Sequence, residues 1–289
     1  MNDYAIAMDT EIKNALNQRL KNIEGEFDSD VIFFYGDIYP MQENYYRDLI
    51  EGLQDNNKHE RLSIILNTPG GDVKTVEKLA NINRHFYDEV NFIVPDSAMS
   101  AGTVFCLSGD KIYMEYSSSL GPIDPQVINK QGQWVPALGY IDKINEAINK
   151  SMSNTLSTVE FMLIKELDLG FLRECEQNVN LTVQLIKDWL VKYKFKDWSI
   201  HASTGAKVSP EEKEKRAEDI ANKLSDNHLW CNHGRFIDIS KLEQILHLKI
   251  DDYGKEPLKK KCIREYNSLA LSYIFRHSIP RFFHSRNLI

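Results

Sequence analysis

Three short segments of the 289-residue sequence combine small, turn-forming and reactive residues, and each one follows a predicted strand. The first segment is Asn67–Asp72, which contains a Pro-Gly-Gly turn. Paired glycines let the backbone bend sharply and approach a ligand closely, and their N–H groups can point at an anion. A Pro-Gly-Gly sequence on its own is usually only a turn, so its meaning depends on the segments beside it.

The second segment, Pro95–Thr103, places Ser100 among small residues between a strand and the apolar start of a helix. A tight bend there exposes the serine hydroxyl and leaves the first helical amides without partners inside the helix. Ser100 could then attack a carbonyl carbon while the N–H groups of Gly71 and Ala101 stabilise the oxyanion. The alternative interpretation is that Ser100 only caps the helix.

The third segment, Ser117–Gln126, holds Asp124 between Pro122 and Pro125. Two prolines restrict the loop and therefore the directions in which this carboxylate can point. Aspartate before proline is also a common turn device, and the loop alone favours that interpretation.

The elements that must position these segments alternate between strands and helices. Apolar runs predict the strands Val31–Tyr35, Leu62–Leu66, Asn91–Val94 and Lys111–Tyr116, and periodic segments predict the helices Glu43–Leu53 and Val73–Phe86. Strands separated by helices of about 12 residues predict right-handed βαβ crossovers and a largely parallel sheet. After about residue 137 the pattern becomes mainly helical, with helices predicted over 211–224 and 258–275.

Composition narrows the class of protein. The formal net charge is −7 and no long basic tract is present, which argues against a general affinity for nucleic acid. Four scattered cysteines without a CxxC pair are typical of reduced thiols rather than of a disulfide framework or a zinc site. The N-terminus has no apolar signal-peptide core, and no apolar run reaches the roughly 18 residues that cross a bilayer. We therefore expect a soluble, cytoplasmic protein without membrane insertion and without a bound metal.

Taken together and in this order, the three segments resemble those of the Clp/crotonase superfamily, above all the serine dehydrogenase proteinases. Gly121–Gln126 looks like the Gly-Pro-x-Asp-Pro-Gln loop of that group, and Trp230–Arg235 looks like its Trp-x-x-His-Gly-Arg pattern. The resemblance runs from about residue 30 to residue 253. It implies an α/β fold: a Clp/crotonase-like ββα superhelical core with a helical C-terminal part.

Carried over residue by residue, the resemblance implies a triad of Ser100, Asp124 and His233, with the Gly71 and Ala101 amides as the oxyanion hole. His233 would take the proton from Ser100, and Asp124 would orient the imidazole and stabilise its protonated form. The implied domains are an N-terminal helix within residues 1–29, the core over 30–136, and a helical C-terminal region over 137–289 that carries the candidate histidine.

The resemblance also has departures. Clp protease has its histidine shortly after the nucleophile, but this chain has no histidine between His85 and His201. His201 is therefore a rival base. Signal peptide peptidase A uses a lysine from a later segment, and Lys143 or Lys150 could provide one here.

The function predicted from this sequence is that of a serine endopeptidase-like hydrolase. It would cleave peptides or unfolded segments through an acyl-enzyme on Ser100, without a cofactor. The resemblance implies a homo-oligomer as well. Two alternatives stay open: a catalytically inactive peptide-binding or scaffold protein with the same fold, and a crotonase-like enzyme that acts on acyl thioesters.

Overall fold

Strands and helices alternate along the first half of the chain. A computed structural model describes residues 3–54, 59–129, 132–165, 167–201 and 204–287. Its strands are β1 (Asp30–Tyr35), β2 (Arg61–Asn67), β3 (Glu89–Ile93), β4 (Ser97–Ala98), β5 (Lys111–Met114), β6 (Ser119–Leu120), β7 (Gln126–Ile128), β8 (Trp134–Pro136), β9 (Asp251–Asp252) and β10 (Phe282–Ser285). Its helices are α1 (Asp3–Phe27), α2 (Glu43–Gln54), α3 (Val73–Phe86), α4 (Ala101–Leu107), α5 (Ala137–Met152), α6 (Thr158–Lys165), α7 (Leu169–Trp189), α8 (Pro210–Ser225), α9 (Asn227–Trp230), α10 (Ile239–Gln244) and α11 (Pro257–His277).

A six-stranded sheet in the order β10-β1-β2-β3-β5-β9 forms the centre of the molecule. The pairs from β1 to β9 are all parallel, with Ile32 opposite Ile64 and Ile64 opposite Phe92, whereas β10 runs antiparallel to β1. The predicted α/β fold with a largely parallel sheet is therefore confirmed.

Both faces of this sheet are covered, which explains why its strands are continuous apolar runs. Ile32 and Phe34 of β1 belong to a core shared with α2, α3, α4, α7 and α8. Val31 and Phe33 point to the other face, where they pack with α1 and α11. Since successive side chains of a strand point to opposite faces, one run of five residues serves two cores.

The boundaries follow the sequence pattern closely in the core. The helix predicted over Val73–Phe86 has those bounds, and the N-terminal helix extends beyond its periodic segment to Asp3–Phe27. The C-terminal part is helical as predicted, and it also supplies β9 and β10 to the two edges of the sheet. Neither β9 nor β10 could be recognised from the sequence, because strands of two and four residues are too short to show an alternating apolar pattern.

Candidate active site

Ser100 lies in a strained turn between β4 and α4. Its backbone has φ 53° and ψ −119°, a combination that is rare for any residue other than glycine. Such strain persists only where the surrounding structure enforces it, and it concentrates at functional sites. Ser100 occupies the N-cap position of α4, but its hydroxyl makes no capping hydrogen bond. The side chain is partly exposed, so the oxygen can be reached from solvent.

Close packing of small residues holds this turn in place. A Cβ on Gly102 would collide with the side chain of Thr68, and one on Gly121 would lie 2.6 Å from Met99 Cε. The fully buried Thr103 hydroxyl accepts from Gly121 N–H at 2.9 Å and lies 2.8 Å from Ala98 O, one of two carbonyls to which it can donate. Thr103 thus ties the nucleophile turn to the Asp124 loop. Sequence reasoning missed this role, because an ordinary helical threonine gives no signal of it.

The Pro-Gly-Gly turn is in direct contact with Ser100. Gly70 has φ 111°, and a Cβ built there would lie 2.8 Å from Ser100 Cβ and 3.2 Å from Ala101 N. Gly71 has φ 145°, and a Cβ there would overlap the Ile38 carbonyl. Both positions therefore require glycine.

Neither amide of the predicted oxyanion hole, Gly71 N–H or Ala101 N–H, donates to a backbone carbonyl in the described part of the chain. Ile38 N–H donates to Gly70 O and Asp72 N–H donates to Ile38 O, each at 2.8 Å. Because these flanking groups face Ile38, the N–H of Gly71 points to the opposite side, as in any parallel pairing. Ala101 N–H opens α4 and has no acceptor within the helix.

A row of backbone pairs links all three segments to the histidine segment. Thr68 pairs with Ala98, Ala98 with Leu120, and Leu120 with Ile237. These residues lie two to four positions from Gly70, Ser100, Asp124 and His233 respectively. Gly70, Ser100, Asp124 and His233 are therefore carried by neighbouring segments of one layer.

Asp124 and His233 form a close pair, with Oδ1 and Nδ1 2.6 Å apart. The carboxylate is buried and the imidazole is 21% exposed. The Asp124 loop is fixed on both sides, since Ile123 N–H donates to Leu224 O at 3.0 Å and Ala137 N–H donates to Pro125 O at 2.8 Å. Since a carboxylate can only accept, Nδ1 donates to Asp124, and in the neutral form of the imidazole Nε2 is then an acceptor. In the described part of the chain no hydrogen bond joins Ser100 Oγ to His233.

A cleft of about 460 Å³ opens beside this pair. The cleft is lined by the predicted Asp124 and His233, by Pro136, by Asn227 and His228 of α9, and by Cys231 and Asn232, which follow α9. None of the last four was predicted as a site residue. Their proximity to His233 along the chain was the available signal.

The rival bases lie in other surroundings. His201 Nε2 is 3.3 Å from Glu212 Oε1 and its ring packs edge-on against Trp198. Lys143 is exposed and pairs with Glu146. Lys150 donates hydrogen bonds to Glu160 and Glu146, and these bonds raise its pKa above the usual range, which makes it a poorer base. Among the described residues none of these three forms a hydrogen bond or an ion pair with Asp124 or Ser100.

Two further features concern the described residues alone. No helix in the ranges given above is both long and apolar enough to cross a membrane. The same ranges contain no cluster of three His, Cys, Asp or Glu side chains arranged to hold a metal ion.

Comparison with known proteins adds a family match. A model described as ClpP-like SDH-type serine proteinase matches residues 41–206, more than half of the chain. This range contains Gly71, Ser100, Asp124 and His201 and ends before His233.

Two uncharacterised proteins of Methanocaldococcus jannaschii also match. MJ0137 is 35% identical over 80 residues, which are 28% of each chain. MJ1495 is 25% identical over 184 residues, which are 64% of this chain and 50% of that protein. The chain thus spans half or less of the length of these relatives.

The solved structures that match include two mutants of a membrane-bound stomatin-specific protease. A serine-to-alanine mutant has a TM-score of 0.43 at 13% identity, covering 77% of this chain and 79% of that one. A lysine-to-alanine mutant in complex with a substrate peptide has a TM-score of 0.42 at 14% identity, covering 77% and 75%.

Proposed function

This chain belongs to the family of ClpP-like SDH-type serine proteinases, and from that premise we propose that it is a serine peptidase with Ser100 as its nucleophile. Its substrates are peptides or unfolded segments of proteins. Membership of the family supports the peptidase class, and the local geometry around Ser100 supports the choice of residue.

In the proposed mechanism, Ser100 Oγ attacks the carbonyl carbon of the scissile peptide bond. His233 Nε2 takes the hydroxyl proton as the C–O bond forms, and Asp124 stabilises the resulting imidazolium. His233 then returns this proton to the leaving amine as the C–N bond breaks. A water molecule, deprotonated by the same imidazole, hydrolyses the acyl-enzyme and frees Ser100.

The oxyanion of each tetrahedral intermediate is bound by the N–H groups of Gly71 and Ala101. One such donor contributes about 10²–10³ in rate. The place where these two amides would bind the oxyanion lies beside Ser100, because Gly70 is in contact with the Cβ of Ser100. This contact between a strained serine and a glycine turn is the observation that carries the proposal.

His233 is preferred to His201 as the base because it pairs with Asp124 at 2.6 Å, whereas His201 pairs with Glu212. In this proposal the bond between Ser100 and His233 forms when substrate closes the site. Catalytic hydrogen bonds are often long in a free enzyme and shorten in the substrate complex.

Hydrolysis of an unfolded polypeptide and of fluorogenic peptides tests the proposal. Ser100→Ala is expected to abolish cleavage, while the matched variant Ser97→Ala, three residues earlier in the same segment, is expected to retain it. Cleavage that survives Ser100→Ala would contradict the assignment. Turnover of an acyl thioester that survives Ser100→Ala would instead favour the crotonase-like alternative.

We further propose that the peptidase acts in the cytoplasm as a homo-oligomer. Enclosure of Ser100 in an assembly would restrict cleavage to chains that can enter it, which agrees with unfolded substrates. Sedimentation velocity of the full chain at micromolar concentration tests this, and a single monomeric boundary would contradict it.

A further inference from the structure

The pairing between β2 and the segment that follows β3 shifts at the carboxyl end of the sheet. Within the sheet Ile65 lies opposite Ile93, and beyond it Thr68 lies opposite Ala98. The paired positions are therefore three residues apart on one side and five on the other. Two extra residues interrupt the pairing just before the Pro-Gly-Gly turn and Ser100, as in the bulges that are common beside active sites.

Three residues close this interruption with a ring of hydrogen bonds. Asp96 N–H donates to Asn67 Oδ1 at 3.3 Å. Asn67 Nδ2 donates to Asn267 Oδ1, and Asn267 Nδ2 donates to Asp96 Oδ2, each at 2.8 Å. Because a carboxylate can only accept, the Asn267 amide must turn its nitrogen to Asp96 and its oxygen to Asn67. The Asn67–Asp96–Asn267 ring is therefore closed in one direction only.

Two members of this ring lie just before the two turns of the candidate site. Asn67 is the last residue of β2, three positions before the first glycine of the Pro-Gly-Gly turn. Asp96 lies four positions before Ser100. Immediately beyond the ring, two backbone hydrogen bonds of 3.0 Å join Thr68 to residues 97 and 99. A shift of Asp96 relative to Asn67 would therefore change the spacing between the glycine turn and Ser100.

The third member, Asn267, comes from α11 on the other face of the sheet. Tyr266 and Ala270 of α11 belong to the core shared with α1, whereas Ala101, next to Ser100, belongs to the core on the opposite face. Asn267 is 7% exposed. A buried amide is costly unless its polar atoms are hydrogen-bonded, and the ring provides a partner for both its oxygen and its nitrogen.

We propose that Asn267 is a positioning residue for Ser100. By holding Asn67 and Asp96 together, its amide fixes the place of the Gly71 N–H relative to Ser100 Oγ. The inference rests on the proposed function and adds a residue that lies outside the range matched by the family, 41–206. A misplacement of about 1 Å in reacting groups can cost about 100-fold in rate, so a residue that acts only through its neighbours can have a large effect.

Asn267→Leu tests the proposal, because it removes both amide hydrogen bonds with little change in side-chain size. We expect kcat for a fluorogenic peptide to fall by about tenfold to 100-fold while KM changes by less than about threefold, since the reacting groups move and substrate binding does not change. The rate of fluorophosphonate labelling of Ser100 should fall by a similar factor. Unchanged kcat and labelling in the folded variant would overturn the inference.

Asn83→Leu is the matched control, because Asn83 is also a buried asparagine in a long helix. Its Oδ1 accepts from Tyr46 OH at 2.8 Å. Each variant loses buried hydrogen bonds, so both should lower the melting temperature. Only Asn267→Leu should lower kcat and labelling, both measured well below the melting temperature. An equal fall in Asn83→Leu would trace the effect to stability and contradict a positioning role.

A second test rebuilds the ring with one hydrogen bond reversed. Asn267→Asp alone brings two carboxylates together and should lower kcat, whereas Asp96→Asn alone retains an acceptor for Asn267 and should keep kcat within about threefold. In the double variant, the amide introduced at position 96 donates to the carboxylate introduced at position 267, which still accepts from Asn67. We expect the double variant to recover kcat by about tenfold or more over Asn267→Asp. No recovery would overturn the proposal, and this test applies even where Asn267→Leu does not fold.

Hydrogen exchange measured by mass spectrometry separates this inference from the proposed function, because it requires no activity. Asn267→Leu should speed exchange in residues 68–72 and 97–101, and Asn83→Leu should not. Faster exchange there, with no fluorophosphonate labelling of the unmodified protein, would overturn the hydrolase and leave the ring as a structural link. Labelling of the unmodified protein at the same rate as Asn267→Leu would overturn the positioning role alone.

Discussion

The two halves of the candidate site are held in different ways. On the Ser100 side, Gly70, Gly71, Gly102 and Gly121 are packed so closely that an added Cβ would clash with a neighbouring atom. Every residue of α4 is buried. On the His233 side, a hydrogen bond to Asp124 orients the imidazole, and the neighbouring residues Asn232 and Gly234 are exposed. The proposed nucleophile and the amides proposed for its oxyanion hole are therefore held by backbone packing, whereas the proposed base depends on a side-chain contact nearer the surface.

This difference indicates where variation is tolerated. A larger residue at any of these glycines must disturb the turn, because its Cβ would clash with a neighbouring atom. A change on the His233 side can remove the base and leave the fold intact.

His233→Ala should lower peptidase kcat/KM by about 10³–10⁴, because we propose its imidazole as the general base. Asp124→Asn should lower it by about 10²–10⁴, since the amide no longer stabilises the imidazolium. Steady-state kinetics and thermal unfolding measure both. His201→Ala is the control. If it lost as much activity as His233→Ala, the assignment of His233 rather than His201 as the general base would be contradicted.

Gly71→Ala should lower kcat/KM by about 10²–10³, and here the melting temperature should fall as well. The added Cβ overlaps the Ile38 carbonyl at φ 145°, so the turn must move and the oxyanion loses its amide donor. Gly139→Ala is the comparison, because a Cβ there meets nothing. An active and stable Gly71→Ala protein would show that the Ser100 side is not rigid.

Lowering the pH should reduce the free energy of unfolding, because the buried His284 of β10 resists protonation in the folded protein. This buried residue of β10 lies between Tyr266 OH at 2.7 Å and Asn17 Oδ1 at 2.8 Å, and burial lowers its pKa to about 4. The unfolded chain takes up the proton at about pH 6.5, so stability falls between about pH 6.5 and pH 4 and this effect levels off below pH 4. The total loss is about 3 kcal/mol.

Denaturant unfolding at several pH values measures how the free energy of unfolding depends on pH between about pH 6.5 and pH 4. His284→Gln should flatten it, whereas His85→Gln, which changes an exposed histidine on α3, should leave it as in the unmodified protein. Equal slopes in the two variants would mean that other groups determine the acid sensitivity of the sheet.

Thr103→Val should have the smallest effect of the four, a loss of about 1–3 kcal/mol in the free energy of unfolding, since it leaves the buried Gly121 N–H without an acceptor. If Thr103 positions the Asp124 loop, kcat should fall while KM changes little, and Thr103→Ser should restore kcat. A loss of stability with unchanged kcat would limit Thr103 to a structural role.

The same contrast decides how much the sequence could predict. The sheet and the helices α2, α3 and α8 follow from local apolar patterns, because their strands and helices bury residues in regular repeats. The contact between Ser100 and the glycine turn also follows, since carboxyl ends of neighbouring parallel strands meet at one edge. Strand β10 could not be predicted, because Phe282–Ser285 is short and its pairing with β1 spans most of the chain.

Asp124 and His233 lie 109 residues apart, and no spacing rule brings them together. Their pairing was expected only from the resemblance to the serine dehydrogenase proteinases.

The most direct measurement is to locate a fluorophosphonate adduct by peptide mass spectrometry of the full-length protein. We predict one adduct on Ser100, whose rate of formation falls by 100-fold or more in His233→Ala and is unchanged in His201→Ala. An adduct on another serine, or none on the folded protein, would contradict the account of Ser100 as an activated nucleophile.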